Sequence, residues 1–159
     1  GRVGAGTGTT VGIWRGPEAI RPSGIGSAAV TVGDATVGAL VVLNAAGDVF
    51  TLEGRSLTGG DPAPLGAPFG IGAGQNTTLV CVATDARIED RNELRRMAIR
   101  AHDAVGACIR PTHTRYDGDS VFVVSAGSRT ADIDALQQAA FVAVGRAIES
   151  AIVTSGGAS

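Results

Sequence analysis

The chain has 159 residues, 24 of them glycine, with a net charge of −2 and a mean hydropathy of +0.22. That length suffices for a single core. The charge gives no electrostatic reason to expect a nucleic acid or an anionic membrane as partner, and no apolar run nears membrane-spanning length, so a soluble, tightly packed domain is expected. All thirteen basic residues are arginine, which excludes a P-loop lysine and a Schiff-base lysine.

Two cysteines, Cys81 and Cys108, show no CxxC and no histidine at ligand spacing. Two buried free thiols are expected, which favours a cytoplasmic setting over a secreted one. The opening Gly1-Arg2-Val3-Gly4 has neither the charged nor the apolar region of a signal peptide. It also lacks an initiator Met, as in a processed chain or part of something longer.

The stretch 4–12 has the glycines of a phosphate loop. It lacks the preceding strand and following helix that a dinucleotide fingerprint needs. It reads as extended chain running toward Ile13 and Trp14, its glycines allowing close approach by backbone or ligand, so a crowded core and the wall of an active site both fit. Residues 15–22 form a turn-rich connection. Ile25–Val32 alternates small and apolar residues as a strand. Residues 36–43 read as another strand, buried on both faces, and the Gly33-Asp34-Ala35 turn between them predicts a hairpin. Asn44 ends that strand. Its amide could present donors into a pocket, as in an oxyanion hole, or satisfy its own turn.

Residues 53–75, rich in Gly, Pro, Ala and Ser, have no period of their own and read as a flexible linker. They end at a predicted buried strand, 77–84, that begins with two hydroxyl residues, Thr77 and Thr78. An ordinary loop entering an ordinary strand looks the same. The junction also suits a threonine whose hydroxyl attacks the peptide bond before it and whose freed amine then serves as base.

A helix follows. Asp90 with Glu93 makes a capping box, and Leu94, Met97, Ala98, Ala101, Val105, Cys108 and Ile109 share one face. Arg91, Arg95, Arg96 and Arg100 fall largely off that face, toward solvent. His102 has no ligand partner in reach along the chain and reads as structural. After Pro111 a loop leads to a strand over 120–125. Asp117 and Asp119 flank Gly118 in that loop, so in extended chain their carboxylates share a side and can share a proton. No metal site is read, because neither His113 nor a third carboxylate is spaced to complete a shell. Residues 132–153 form a packing helix, and 155–159 a frayed tail.

Asn76-Thr77, Ala83-Thr84-Asp85, His102-Asp103, and Arg110-Pro111-Thr112-His113-Thr114 leading to Asp117-Gly118-Asp119-Ser120-Val121-Phe122 together resemble the self-cleaving amidohydrolases of the DmpA aminopeptidase type. The nylon-oligomer hydrolase (NylC-like) branch is the nearest in motif. The resemblance runs from about Gly4 to the last helix. It implies an α/β fold, a layered α-β-β-α sandwich, of which this chain would hold the C-terminal half and central strands as a single unit over 1–159. It also implies self-cleavage between Asn76 and Thr77, giving 1–76 and 77–159, with Thr77 as N-terminal nucleophile. Asp117 and Asp119 would be its acidic partners, Asn44 the facing strand-end amide, and Gly12 and Ile13 substrate-side positions. No cofactor and no metal are implied. The substrate would be a small amide or peptide, and the assembly a homo-oligomer, with a tetramer as one form.

Two departures stand out. The nylon-hydrolase branch carries a lysine where this chain has Ile13, and family precursors are about twice as long, so half a sandwich would leave one sheet face exposed. Two alternatives remain beside the hydrolase: an acyltransferase of the ornithine acetyltransferase type, and an uncleaved, inactive structural or regulatory subunit.

Overall fold

A computed structural model describes residues 1–66 and 76–158. The strands are β1 (Thr10–Val11), β2 (Arg21–Pro22), β3 (Ile25–Val32), β4 (Ala35–Asn44), β5 (Asp48–Val49), β6 (Thr77–Ala86), β7 (Ile109–Arg110) and β8 (Ser120–Arg129), and the long helices are α1 (Arg91–Cys108) and α2 (Ile133–Val153). One four-stranded sheet, ordered β3-β4-β6-β8, dominates. β3, β4 and β6 pair antiparallel, and β6 pairs parallel with β8 through the crossover that contains α1.

Burial alternates along β4 and β6, so inward Val37, Val41, Leu43, Val80 and Val82 meet α1 and α2 in one core. Helix α2 packs on β3 and β4, and α1 on β8 and α2. Gly26 permits a close approach of strand to helix: a Cβ there would fall 2.0 Å from the Ala147 carbonyl oxygen of α2. Among the described residues no element covers the outer sheet face, where Leu40 is 48%, Leu79 43%, Phe122 62% and Val124 48% exposed. The strand expected to be buried on both faces, 36–43, and the buried strand expected over 77–84 are therefore each buried on one. Their outer positions are apolar too, which is why their periodicity reads as a continuous run. Cys81 lies on that outer face and is exposed, whereas Cys108 is buried.

Other expectations shift for local reasons. Stretch 4–12 is not continuous extended chain: a 3-10 turn spans Gly4–Gly6, and the ladder is limited to β1 against β2. Gly12 has φ +87°, which turns the backbone into a second 3-10 turn, Ile13–Arg15. The capping box does not close. Asp90 caps α1 by accepting from the Asn92 N–H, but the Glu93 carboxylate accepts from Gln137 Nε2 of α2 instead. Ile109 leaves the helix and pairs with Val49. Arg100 bridges the helices, donating to Asp103 and Gln138 and lying over the Phe141 ring.

The expected tail is tied down as far as Gly157, which is buried beside the Pro22 carbonyl and donates to Ile152. Of the expected linker, 67–75 lies outside the described residues. Within its described part, Leu57 and Thr58 are buried, the former donating to Val49. No helix among the described residues is long and apolar enough to cross a membrane.

Candidate functional site

Strand direction assembles the site. β6 and β8 run parallel, so both begin at one sheet edge, and antiparallel β4 ends there; Asn44 is the register partner of Thr77. The loop before β8 is thereby laid along residue 76, where Asn76 and Asp117 form a parallel bridge. Asn76 is buried, and its N–H donates to the Tyr116 carbonyl at 3.3 Å.

The Asn76 carbonyl oxygen receives two donors. Thr77 Oγ1 donates to it at 2.6 Å, and the Gly118 N–H donates to it at 2.9 Å. A hydroxyl beside the carbonyl that precedes it, with a backbone donor already on that oxygen, is an arrangement suited to attack on the carbonyl carbon. Gly118 leaves the space this needs, since a Cβ there would stand 2.9 Å from Thr77 Oγ1.

The two carboxylates hold separate donor sets. Asp117 accepts from Ala46 N–H at 3.2 Å through Oδ1, and from Thr114 Oγ1 at 2.6 Å and Thr114 N–H at 3.3 Å through Oδ2. Asp119 Oδ1 accepts from Thr78 N–H at 2.8 Å, while its Oδ2 takes Thr112 Oγ1 at 2.9 Å and pairs with His113 Nδ1 at 2.8 Å. The two carboxylates thus act as two anchors. One fixes the loop after β4, and the other fixes the residue after Thr77.

Asn44 accepts from the Thr10 N–H through Oδ1 at 3.1 Å, which orients its amide from the Gly-rich segment. Gly12 is buried and donates to the Gly47 carbonyl, and the Trp14 N–H donates to Ala46. Ile13 is half-buried between them. The Trp14 and Tyr116 rings meet edge to face at 6.4 Å, so the Gly12–Trp14 turn, the loop after β4 and the loop before β8 join at one end of the sheet.

That end rests on an ion pair with no signal in the linear sequence. Arg15 donates to Asp48 at 2.7 and 2.9 Å and to the Thr58 carbonyl at 3.0 Å, while Thr58 Oγ1 donates to Asp48 at 2.8 Å. The hydrogen bond with Asp48 raises the Arg15 pKa above its ordinary value. Asp48 is 2% exposed, so its charge is compensated by this network.

His102 is not the isolated structural residue its place in α1 suggests. The loop before β8 folds back over α1, bringing the His113 ring to 4.2 Å from the His102 ring, centroid to centroid. Burial, and then the neighbouring His113, lower the His102 pKa below its ordinary value. Sequence spacing could not reveal this contact, because it depends on how the loop crosses the helix. Thr112 and Thr114 contact Asp119 and Asp117 through the folding of the loop on itself, and the Gly118 N–H acts through the laying of that loop along Asn76, so these roles were missed as well.

Compared with known proteins, residues 1–158 match peptidase family S58. An uncharacterised aminopeptidase of Mycobacterium leprae is 34% identical, across 84% of this chain and 40% of its own length. One from Mycobacterium bovis is 35% identical, across 80% of this chain and 40% of its own. Among solved structures, the L-aminopeptidase D-Ala-esterase/amidase of Ochrobactrum anthropi, described as a variant of the Ntn-hydrolase fold, superposes with TM-score 0.67 at 23% identity, over 98% of this chain and 45% of that one. A β-aminopeptidase of Burkholderia gives TM-score 0.64 at 26% identity, over 96% and 46%. The fold is that of these Ntn-hydrolase neighbours. The chain spans about two fifths of the length of these curated relatives and under half of these solved chains.

Proposed function

Because this chain belongs to peptidase family S58, we propose that it is a self-processing N-terminal-threonine hydrolase that cuts itself between Asn76 and Thr77 and then cleaves small amides or peptides. The observation that carries this reading is the Asn76 carbonyl, which takes Thr77 Oγ1 at 2.6 Å and the Gly118 N–H at 2.9 Å. In scission, Thr77 Oγ1 attacks the Asn76 carbonyl carbon, and the Gly118 N–H stabilises the oxygen as it becomes negative. The C–N bond then breaks, the amine leaves with the hydroxyl proton, and water opens the resulting ester.

The freed α-amine, with an ordinary pKa of about 7.7 to 8.0, suits a general base near neutrality. In turnover, Thr77 Oγ1 attacks the substrate amide and the Asn44 amide donates to the developing oxyanion. Asp119, through Thr78 N–H, and Asp117, through the Ala46 loop, hold the new terminus and stabilise the ammonium formed when the amine takes the proton. Gly12 and Ile13 face the substrate side in this reading.

The Asn76-Thr77 junction and the Asp117-Gly118-Asp119 motif favour the nylon-oligomer hydrolase branch within the family. The aminopeptidase names of the relatives favour peptides over acetyl transfer. The apolar outer sheet face supports a homo-oligomer, and the free thiols support a cytoplasmic setting. Ile13, in place of the lysine of that branch, supports the second reading, an uncleaved inactive subunit.

Intact mass under denaturing conditions separates the two. Fragments 1–76 and 77–159, absent in Thr77→Ala, are expected. A chain that stays whole on long incubation overturns the self-processing reading and leaves the inactive subunit.

A further inference from the structure

Among the described residues, one group of three side chains has metal-ligand chemistry: His102 on α1, with His113 and Asp119 from the loop before β8. Their ligand atoms all lie within 4.8 Å of one another. The His102 Nε2 is buried and has no hydrogen-bond partner among the described residues, an arrangement that costs free energy unless something else fills the role. Beside it opens a groove of about 330 Å³ lined by Ile99, His102, Asp103, Gly106 and His113, which leads from solvent to both imidazoles.

We infer that His102, His113 and Asp119 form a binding site for a borderline divalent transition-metal ion, with Zn2+ the best match. Two imidazoles and one carboxylate are a nitrogen-and-oxygen set suited to such ions, whereas Mg2+ and Ca2+ prefer oxygens alone. A tetrahedral ion with bonds of about 2.1 Å needs its ligands about 3.4 Å apart. The 2.8 Å contact of His113 Nδ1 with Asp119 Oδ2 must open slightly and the wider separations must close. Rotation of the exposed His113 side chain, 39% accessible, can adjust its distances to both Asp119 and His102. The groove leaves the fourth position to water.

Asp119 links this site to the scissile junction, since its other oxygen holds the Thr78 N–H at 2.8 Å. If the reading of the preceding subsection holds, a bound ion turns Asp119 away from that N–H and slows scission. Binding itself does not depend on that reading.

The test uses the Cys81→Ser chain, which removes the exposed thiol as a competing ligand. Titration with Co2+ should produce the intense visible bands of a tetrahedral site, and Zn2+ should displace it in a one-to-one ratio. His102→Gln and His113→Gln should each weaken binding by at least about 100-fold, the upper end of what losing even a supporting partner costs. Circular dichroism verifies that each variant is folded, and the two substitutions lie on different elements, so loss of one fold leaves the other informative. Tight Co2+ binding that survives both substitutions, or no binding beyond that of the double variant, would overturn the site. Binding by a chain that also stays uncut on long incubation without metal would uphold it while refuting the self-processing reading.

Discussion

Gly118→Ala isolates the nucleophile from the fold. Gly118 is exposed and its φ lies outside the left-handed region, so alanine meets no backbone strain and should change stability by no more than about 0.5 kcal/mol. The new methyl would stand 3.8 Å from the Asn76 carbonyl oxygen and 3.9 Å from Thr77 Cβ, both ordinary contacts, but 2.9 Å from Thr77 Oγ1. To regain normal contact the hydroxyl must retreat by roughly half an ångström or rotate away from the carbonyl. A misplacement of about 1 Å can cost 10²-fold, so scission should slow about 10- to 100-fold. The assay follows fragments 1–76 and 77–159 by intact mass after cell-free synthesis, with a melting curve in parallel. Wild-type scission with an unchanged melting temperature would refute the claim that Thr77 Oγ1 acts from the position described.

Three further outcomes are expected. Asn44→Ala should slow amide turnover by about 10²- to 10³-fold, the cost of one oxyanion donor, and steady-state kinetics at wild-type rate would remove Asn44 from that role. Asp48→Ala strands Arg15 and uncouples Thr58, and should lower stability by about 3 kcal/mol, read by urea unfolding. Burial pushes the Cys108 thiol up to about 12, so at neutral pH a thiol reagent should label Cys81 alone in the folded chain and both cysteines once it is unfolded. Because the folded pKa lies above the unfolded 9.0, this thiol's contribution to stability is complete below pH 9 and is lost as pH rises toward 12.

The sequence carries the parts of the fold that rest on local pattern. The hairpin of β3 and β4, the start of β6 at Thr77, and helices α1 and α2 follow from period and turn chemistry. Misreadings arise where a residue's partner is remote. Glu93 has the spacing of a capping residue, yet Gln137 competes for its carboxylate. Ile109 fits the helical face, yet Val49 offers it a strand partner. Residues 4–12 look extended because nothing in their composition reveals that Gly4 and Gly12 turn at positive φ.

At the site, Asn44, Thr77, Asp117 and Asp119 could be named one by one, and the topology brings them to one sheet edge. The Gly118 N–H, the Arg15–Asp48 anchor and the contact of His102 with His113 could not, since each depends on the path a loop takes against another element.

The central position of β6 bears on what a cut at its first residue would do. Its neighbours come from both sides of the junction: β4, with eight register pairs, from the first piece and β8 from the second. α2 of the second piece also packs on β3 and β4 of the first. A severed molecule would therefore remain one particle in native solution, an interlocked heterodimer made from a single translation product. Before the cut, folding is unimolecular. Afterwards, recovery from unfolding requires two chains to meet, so refolding yield should fall on dilution. Maturation would thus turn a reversible fold into one that is assembled once and thereafter protected chiefly by its unfolding barrier.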